Sequence, residues 1–238
     1  MANNRTESGR WLPATADEMK ALGWDRPDIV LITGDAYIDH PSFGIAVIAR
    51  VLEAEGYKVA VIAQPNWRDD LRDFKKFGQP RLFFGISGGN MDSMVNHYTA
   101  RKRLRSDDAY TPGDRSGFRP DYATTVYSKI IKQLFPETPV ILGGIEASLR
   151  RLTHYDYWSE SLKPSVLADS GANLLVYGMG EKAIIEVARQ IKNNVDFRKN
   201  QIPQTVVIAD EKTGLDYLAL PSHEDCLKSK TQFGKHFV

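Results

Sequence analysis

Cysteine is almost absent from the 238-residue sequence, in which Cys226 is the only one. A single thiol cannot form a disulfide within the chain, and it cannot build a metal site that needs several cysteines. Chains that use so little cysteine are typical of a reducing compartment. We therefore expect a cytoplasmic protein.

Long apolar runs and a strong net charge are also missing. No stretch approaches the roughly 18 apolar residues of a membrane span, and the N-terminal residues MANNRTESGRWLPAT contain no apolar signal core. The formal charge of +1 provides no overall field for nucleic acid or acidic substrates. Any binding role must come from local clusters of residues, and we expect no membrane contact.

Two motifs common in enzymes do not occur in the sequence. It has no Walker loop and no strand-linked Gly-x-Gly-x-x-Gly. Their absence counts against a self-sufficient hydrolase or transferase, although His40 or His154 with nearby carboxylates leaves that alternative open. No histidines lie at metal-ligand spacing, so we do not expect this chain to bind a metal by itself.

What the sequence does contain is a repeated alternation of buried runs and amphipathic segments. Hydrophobic residues make up 42% of the chain, enough for one large core. The stretch 28–65 predicts a βαβ unit, with strands at 29–33 and 59–62 and a helix from Gly44 to Gly56. Further strands are predicted at 81–86, 140–144 and 174–177. Short unbroken apolar strands of this kind are typical of a parallel sheet covered on both faces.

The connecting segments complete a doubly wound α/β fold with a mainly parallel five-stranded sheet. Helices are predicted at 16–22, 67–78, 91–100, 122–135 and 181–193. A C-terminal β-hairpin is predicted at 206–220, around a Thr213-Gly214 turn. We expect an N-terminal arm at 1–27, the α/β domain at 28–193, and a hairpin with a connector at 194–238.

The segment 101–124 is rich in charge, proline and glycine, and it predicts a long excursion between two helices. Arg101, Lys102, Arg103 and Arg105 could contact phosphate or RNA. Because Asp107 and Asp108 follow at once, a solvated helix end explains the run equally well, and we do not expect nucleic-acid binding.

Polar side chains and glycines follow the predicted strands at their carboxyl ends, which meet at one edge of a parallel sheet. Glycine turns at helix N-termini there could admit a polar or anionic small molecule, or the same residues could cap helices and hold turns. The candidates are Asp35, Asp39, His40, Ser42, Ser87, Asn90, Asp92, Gly143, Gly144, Glu146, Gly178, Gly180 and Glu181.

A second candidate site follows the fourth strand, in the densest polar and aromatic cluster of the chain. A binding role, a structural network and an interface with another domain all remain open for it. Its members are Glu146, Arg150, Arg151, His154, Tyr155, Asp156, Tyr157 and Trp158.

Five stretches of this chain resemble the N-terminal region of YgiQ-type radical SAM proteins: GDAYIDHPSFG, NMDSM, SDDAYTP, VILGGIEASLRRLTHYDYW and ADEKTGLDYLALPS. The resemblance implies a larger iron-sulfur enzyme, whose following barrel binds a 4Fe-4S cluster through Cys-x-x-x-Cys-x-x-Cys and cleaves S-adenosylmethionine. This chain lacks those cysteines, so we expect no cofactor of that kind here. The resemblance implies an accessory substrate- or cofactor-binding domain, partnered by a barrel in the same polypeptide or from a split gene. A non-catalytic partner-binding fragment is the alternative.

A looser resemblance extends to cobalamin-binding domains of flavodoxin-like fold, which implies a flavodoxin-like sheet. It rests on HPSFGIAVIARVLEAEGYKV and on the later glycine turns ILGG and YGMGEKA. The histidine-ligated form of that motif is Asp-x-His-x-x-Gly. Here Asp39 and His40 are adjacent and Gly44 comes four residues after the histidine, so the pattern fails in register. Base-off cobalamin, bound without a histidine ligand, remains an alternative.

The cysteine count generates a first prediction. After anaerobic reconstitution with iron and sulfide, the purified chain should hold no 4Fe-4S cluster and cleave no S-adenosylmethionine, because one thiol cannot supply three thiolate ligands. Absorbance spectroscopy and iron analysis check this. A stoichiometric brown chromophore would contradict it.

Overall fold

A computed structural model describes residues 10–209 and 217–237. Eight strands lie in this part of the chain. They are β1 (Ile29–Thr33), β2 (Val59–Ala63), β3 (Phe83–Ser87), β4 (Val140–Gly143), β5 (His154–Asp156), β6 (Ser161–Lys163), β7 (Leu174–Val176) and β8 (Thr205–Val207).

The main sheet has six strands in the order β2-β1-β3-β4-β7-β8, and β5 pairs with β6 in a separate ribbon. The first five strands of the main sheet are parallel, while β8 runs antiparallel to β7. Every residue of β1 is buried, as expected for an apolar strand at the centre of a covered sheet. The prediction of a doubly wound, mainly parallel sheet is confirmed, with one strand more than expected.

Ten α-helices connect and cover these strands in the described residues. They are α1 (Ala16–Ala21), α2 (Gly44–Ala54), α3 (Arg72–Lys75), α4 (Ser93–His97), α5 (Ala123–Leu134), α6 (Gly144–Leu149), α7 (Val166–Ser170), α8 (Glu181–Lys192), α9 (His223–Lys228) and α10 (Lys230–Gly234). Short 3-10 helices lie at Pro112–Asp114 and Lys235–Phe237. No helix among the described residues combines the length and apolarity needed to cross a membrane.

Two cores lie on opposite faces of the sheet, because alternate residues of each strand point to opposite sides. On one face Ile32 and Phe84 pack with Tyr127 of α5 and Leu167 of α7. On the other face Leu31, Phe83 and Ile141 pack with Leu52 of α2 and Val187 of α8. The α2/α8 face is the one on which the candidate site lies.

The predicted C-terminal hairpin at 206–220 lies partly outside the described residues, including its Thr213-Gly214 turn. Its first part corresponds to β8, which joins the main sheet as an antiparallel edge strand beside β7. Residues 217–220 form no strand. The strand pattern at 206–207 was therefore detected, and its partner among the described residues is β7.

Two predicted helices are shorter than expected, for local reasons. In 67–78 only α3 is helical, because the carboxylates of Asp69 and Asp70 accept bonds from the backbone N–H groups of Leu71 and Arg72. Such side-chain bonds compete with helix hydrogen bonding. In 91–100 only α4 is helical, since after His97 the chain turns back and Arg105 N donates to His97 O at 2.8 Å.

The buried tyrosine of α5 generates a prediction about stability. Tyr127 is fully buried and its hydroxyl has no hydrogen-bond partner among the described residues. An unpaired buried hydroxyl costs free energy, so Tyr127→Phe should raise the free energy of unfolding by about 1 kcal/mol. Urea denaturation measures it.

The matched control is Tyr122→Phe at the start of the same helix. The Tyr122 hydroxyl donates to Asp156 Oδ2 at 2.9 Å, so this variant should lower the free energy of unfolding by about 1.5 kcal/mol. Equal destabilisation by both changes would show that the Tyr127 hydroxyl is paired in solution.

Candidate functional site

A pocket of about 330 Å³ opens at the carboxyl ends of β1, β3, β4 and β7, on the α2/α8 face of the sheet. Two rows of residues, paired in register across the strands, form its floor. The deeper row is Leu31, Gly85 and Ile141. The row nearer the mouth is Thr33, Ser87 and Gly143. Since ligands of open α/β sheets bind outside the carboxyl ends of the strands, this is the candidate site.

Two helices form the walls of this pocket. The first residues of α2, Gly44 and Ile45, line one side, and Gly180 and Glu181 at the start of α8 line the other. Neither helix has a side-chain hydrogen bond that caps its N-terminus. Backbone N–H groups of both first turns are therefore left without a capping side chain beside the mouth.

Gly143 keeps the floor of the pocket open. Its φ is −159°, extended backbone that any residue adopts. A Cβ built there would come no nearer to a neighbouring atom than 3.8 Å, at Val176 O. Neither backbone strain nor packing requires glycine at this position. By strand alternation a side chain would project from the same face as Ile141, into the pocket.

Gly144 differs from its neighbour, because the fold itself requires glycine there. Its φ is +81°, and a Cβ would approach Ser87 Oγ to 2.5 Å. The pair Gly143-Gly144 thus combines one glycine needed for the turn with one whose missing side chain leaves space for a ligand.

A fully buried ionic cluster fixes the rim of the pocket. Arg119 Nη2 lies 3.1 Å from Asp35 Oδ1 and 3.2 Å from Asp108 Oδ2, and all three side chains are almost completely buried. Arg119 Nη1 also donates to Gly88 O at 3.2 Å, and Asp35 Oδ2 accepts from Asn90 N at 2.6 Å. Burial raises the pKa of Asp35, and the nearby Arg119 charge opposes that rise. The excursion at 101–124 is anchored in this way to the loops after β1 and β3.

Glu146, Asp92 and Arg150 lie beneath the same loops but are used within the fold. Glu146 is fully buried, and its two carboxylate oxygens accept from Ser93 N and Thr124 N, each at 2.8 Å. Asp92 caps α4 and forms an ion pair with Arg150. These predicted site residues therefore hold the N-terminal ends of α4 and α5 against the sheet.

The loop after β1 places Asp39, His40 and Ser42 outside the pocket lining. Asp39 pairs with Arg50 of α2 and accepts from Leu12 N at 3.3 Å, which ties the N-terminal segment to the domain. His40 is exposed, and its Nδ1 accepts from Ser42 N at 3.2 Å. Its ring contacts Phe43 edge-on.

The polar and aromatic cluster after β4 supports the β5–β6 ribbon. Tyr157 donates to Ala100 O at 2.7 Å, and His154 Nδ1 donates to Leu152 O at 3.1 Å. Burial lowers the pKa of His154. Burial raises the pKa of Asp156, but bonds from Ser159 and Tyr122 outweigh it, so that pKa is lowered overall. Tyr155 is exposed on the ribbon. None of these residues lines the pocket.

The structure therefore divides the predicted site residues into two groups. Those that line the pocket are Asp35, Ser87, Asn90, Gly143, Gly144, Gly178, Gly180 and Glu181. Those that lie elsewhere are Asp39, His40, Ser42, Asp92, Glu146, Arg150, His154 and Tyr155.

The sequence did not identify the strand residues that form the floor of the pocket, or the two residues of the excursion that join the ion cluster. Thr33, Gly85 and Ile141 could have been found from strand alternation, because each shares a face with a predicted site residue. Asp108 and Arg119 carry no local signal, since their partner Asp35 is more than 70 residues away in the sequence.

Together, the doubly wound sheet and its carboxyl-edge pocket define an α/β domain with one candidate binding site at that edge. Comparison with known families specifies it further, because the model described as Radical SAM N-terminal matches residues 11–238. The chain belongs to this family, which confirms the resemblance drawn from the sequence.

Its relatives are much longer proteins. A UPF0313 protein of Bacteroides thetaiotaomicron is 57% identical over 95% of this chain, which spans 39% of that relative. A UPF0313 protein of Thermotoga neapolitana is 50% identical over 94% of this chain, which spans 40% of it. The chain thus corresponds to about two fifths of the length of these relatives.

A solved structure shares the fold. It is the radical S-adenosylmethionine methyltransferase TsrM from Kitasatospora setae, with cobalamin and a [4Fe-4S] cluster bound. The TM-score is 0.50 at 20% identity, over 76% of this chain and 27% of TsrM. At this level of identity the likeness is one of fold alone.

The buried ionic cluster generates a prediction. Arg119→Met leaves Asp35 and Asp108 buried without their cation, so it should lower the free energy of unfolding by about 3–5 kcal/mol at pH 7. At pH 4.5 the loss should shrink. Burial raises the pKa of Asp35, and the variant lacks the cation that opposes this rise, so Asp35 binds its proton more tightly in the folded variant than in the unfolded chain. Urea denaturation at both pH values measures the effect.

The control for this experiment is Arg115→Met, in the same excursion but exposed. It should change the free energy of unfolding by less than about 0.5 kcal/mol. A loss of similar size in both variants would contradict the structural role assigned to Arg119.

Proposed function

We propose that this chain is the accessory, ligand-binding domain of a YgiQ-type radical SAM iron-sulfur enzyme, and that it acts with a catalytic barrel. The observation that carries the proposal is the carboxyl-edge pocket with Gly143 in its floor, a position where nothing but the open space favours glycine. Family membership supports the association with radical SAM chemistry. The division at 1–27, 28–193 and 194–238 and the cytoplasmic location belong to the same proposal.

An exposed apolar surface lies beside the mouth of the pocket. Ile145 and Leu149 share one face of α6, and Met179 is 79% exposed in the turn before α8. Gly178 N donates to Ser148 Oγ at 3.2 Å, which holds that turn against α6. Since about three fifths of each longer relative lies outside the matched region, we propose that the remainder of the polypeptide covers this surface.

The 4Fe-4S cluster does not fit this chain. The sequence supplies one cysteine, Cys226, which is buried with its Sγ 3.4 Å from His236 Nε2. Within the described residues no group of three or more histidine, cysteine, aspartate or glutamate side chains is placed to hold a metal ion. Cluster binding and S-adenosylmethionine cleavage are therefore assigned to the barrel.

Base-off cobalamin is the second candidate ligand, because the TsrM structure of similar fold carries cobalamin. Ligation of cobalt by His40 does not fit. His40 is exposed and lies outside the pocket lining, and its Nδ1 is already used by the Ser42 N–H at 3.2 Å. The pocket volume of about 330 Å³ suits a small molecule or one arm of a larger cofactor.

Retention of small molecules tests the binding role. The purified chain is incubated with a small-molecule extract of cells, and separately with cobalamin, and bound compounds are identified by mass spectrometry. The wild type should retain at least one compound, and Gly143→Leu should lose it because the new side chain fills the pocket. The thermal midpoint of the Gly143→Leu variant should stay near that of the wild type.

The matched control is Ala54→Leu, an exposed position at the far end of α2. It places the same leucine side chain outside the pocket and should retain the compound. Failure of the wild type to retain any compound, or equal retention by Gly143→Leu, would contradict the binding role and favour a non-catalytic partner-binding fragment.

A further inference from the structure

The charge of the pocket lining narrows the class of ligand. None of the described residues that line the pocket is lysine, arginine or histidine. Two of them, Asp35 and Glu181, carry carboxylates. A pocket that selects a free phosphate or carboxylate normally offers an arginine or lysine side chain. This lining offers carboxylates instead.

One of the two carboxylates retains acceptor capacity. Glu181 has no hydrogen-bond or ion-pair partner among the residues that the structure describes. Asp35 Oδ1 is buried 3.1 Å from Arg119 Nη2, so the ion cluster already uses it. An unused acceptor beside an apolar floor suits a ligand that brings a hydrogen-bond donor.

The helix N-termini at the mouth argue in the opposite direction, but less strongly. A helix N-terminus carries about half a positive charge. The first turn of α8 already contains Glu181, whose full negative charge exceeds that partial charge. The first turn of α2 contains no acidic residue, so it offers one partial positive charge against the carboxylates.

The apolar surfaces define the other end of the ligand. Phe43 lines the pocket and stacks on Tyr37 with ring centroids 4.4 Å apart, which holds its ring in place. Ile141 from the floor and Ile184 from α8 complete an apolar chamber. A flat or compact apolar body fits against these side chains.

We infer that the pocket takes a small ligand with an apolar, ring-bearing body and a neutral or cationic hydrogen-bond-donating head, such as an amine, and that it discriminates against anions. The body packs on Phe43, Ile141 and Ile184, and the head donates to Glu181. This inference rests on the proposed function of the pocket and specifies its ligand class.

Three probes with one ring and different charges test the inference: 2-phenylethylamine, 2-phenylethanol and 3-phenylpropionate. Titration into the labelled chain is followed by the amide NMR signals of Gly85 and Gly143. The amine should bind at least tenfold more tightly than the propionate, with the alcohol between them. Glu181→Gln should reduce the affinity for the amine about tenfold and leave that for the alcohol unchanged.

The control is Glu186→Gln, the same change on the same helix but outside the pocket, where Glu186 pairs with Arg189. It should alter none of the three affinities. Tightest binding of the propionate, abolished by Gly143→Leu, would overturn the ligand class while leaving the pocket as a binding site. Binding that Gly143→Leu does not affect would overturn both. If no probe binds to the wild type, the inference fails, and the retention experiment decides the role of the pocket separately.

Discussion

The Arg119 ion cluster is the constraint on which the shape of the candidate site depends. One buried guanidinium holds two buried carboxylates from different segments, Asp35 after β1 and Asp108 in the excursion. It also binds the carbonyl of Gly88 after β3. A buried charge without its partners is very costly, so these three segments must come together whenever the chain folds. The rim of the pocket follows from that requirement.

The hydrogen-bond partners of the acidic side chains show which of them stabilise the fold and which could bind a ligand. Glu146 and Asp92 accept hydrogen bonds from backbone N–H groups at helix starts, so they stabilise the fold. Glu181 lies at the mouth with no partner among the described residues. Carboxylates that follow neighbouring strands in the sequence thus have opposite uses, and only the geometry of their partners distinguishes them. His40 likewise bonds within its own loop, through Ser42 N, and lies outside the pocket lining.

The sequence predicted the sheet well because buried parallel strands are short unbroken apolar runs, as in β1 and β2. It also predicted the edge at which the pocket opens, since parallel strands place their carboxyl ends together. It did not predict the ribbon of β5 and β6, whose polar residues are held by distant groups such as Ala100 O. Nor did it predict the pairing of Asp35 with Arg119, because long-range ion pairs leave no periodic pattern.

We propose that the carboxyl edge of this domain faces the remainder of a longer radical SAM polypeptide. The most direct measurement is site-specific photo-crosslinking in a full-length relative, with p-benzoylphenylalanine at the position that aligns with Met179. The control position aligns with Gln79, an exposed residue in the connection that enters β3 at the opposite edge of the sheet. We expect crosslinks from the first position to the region outside the matched domain, and none from the second. Crosslinks from the Gln79 position alone would contradict it.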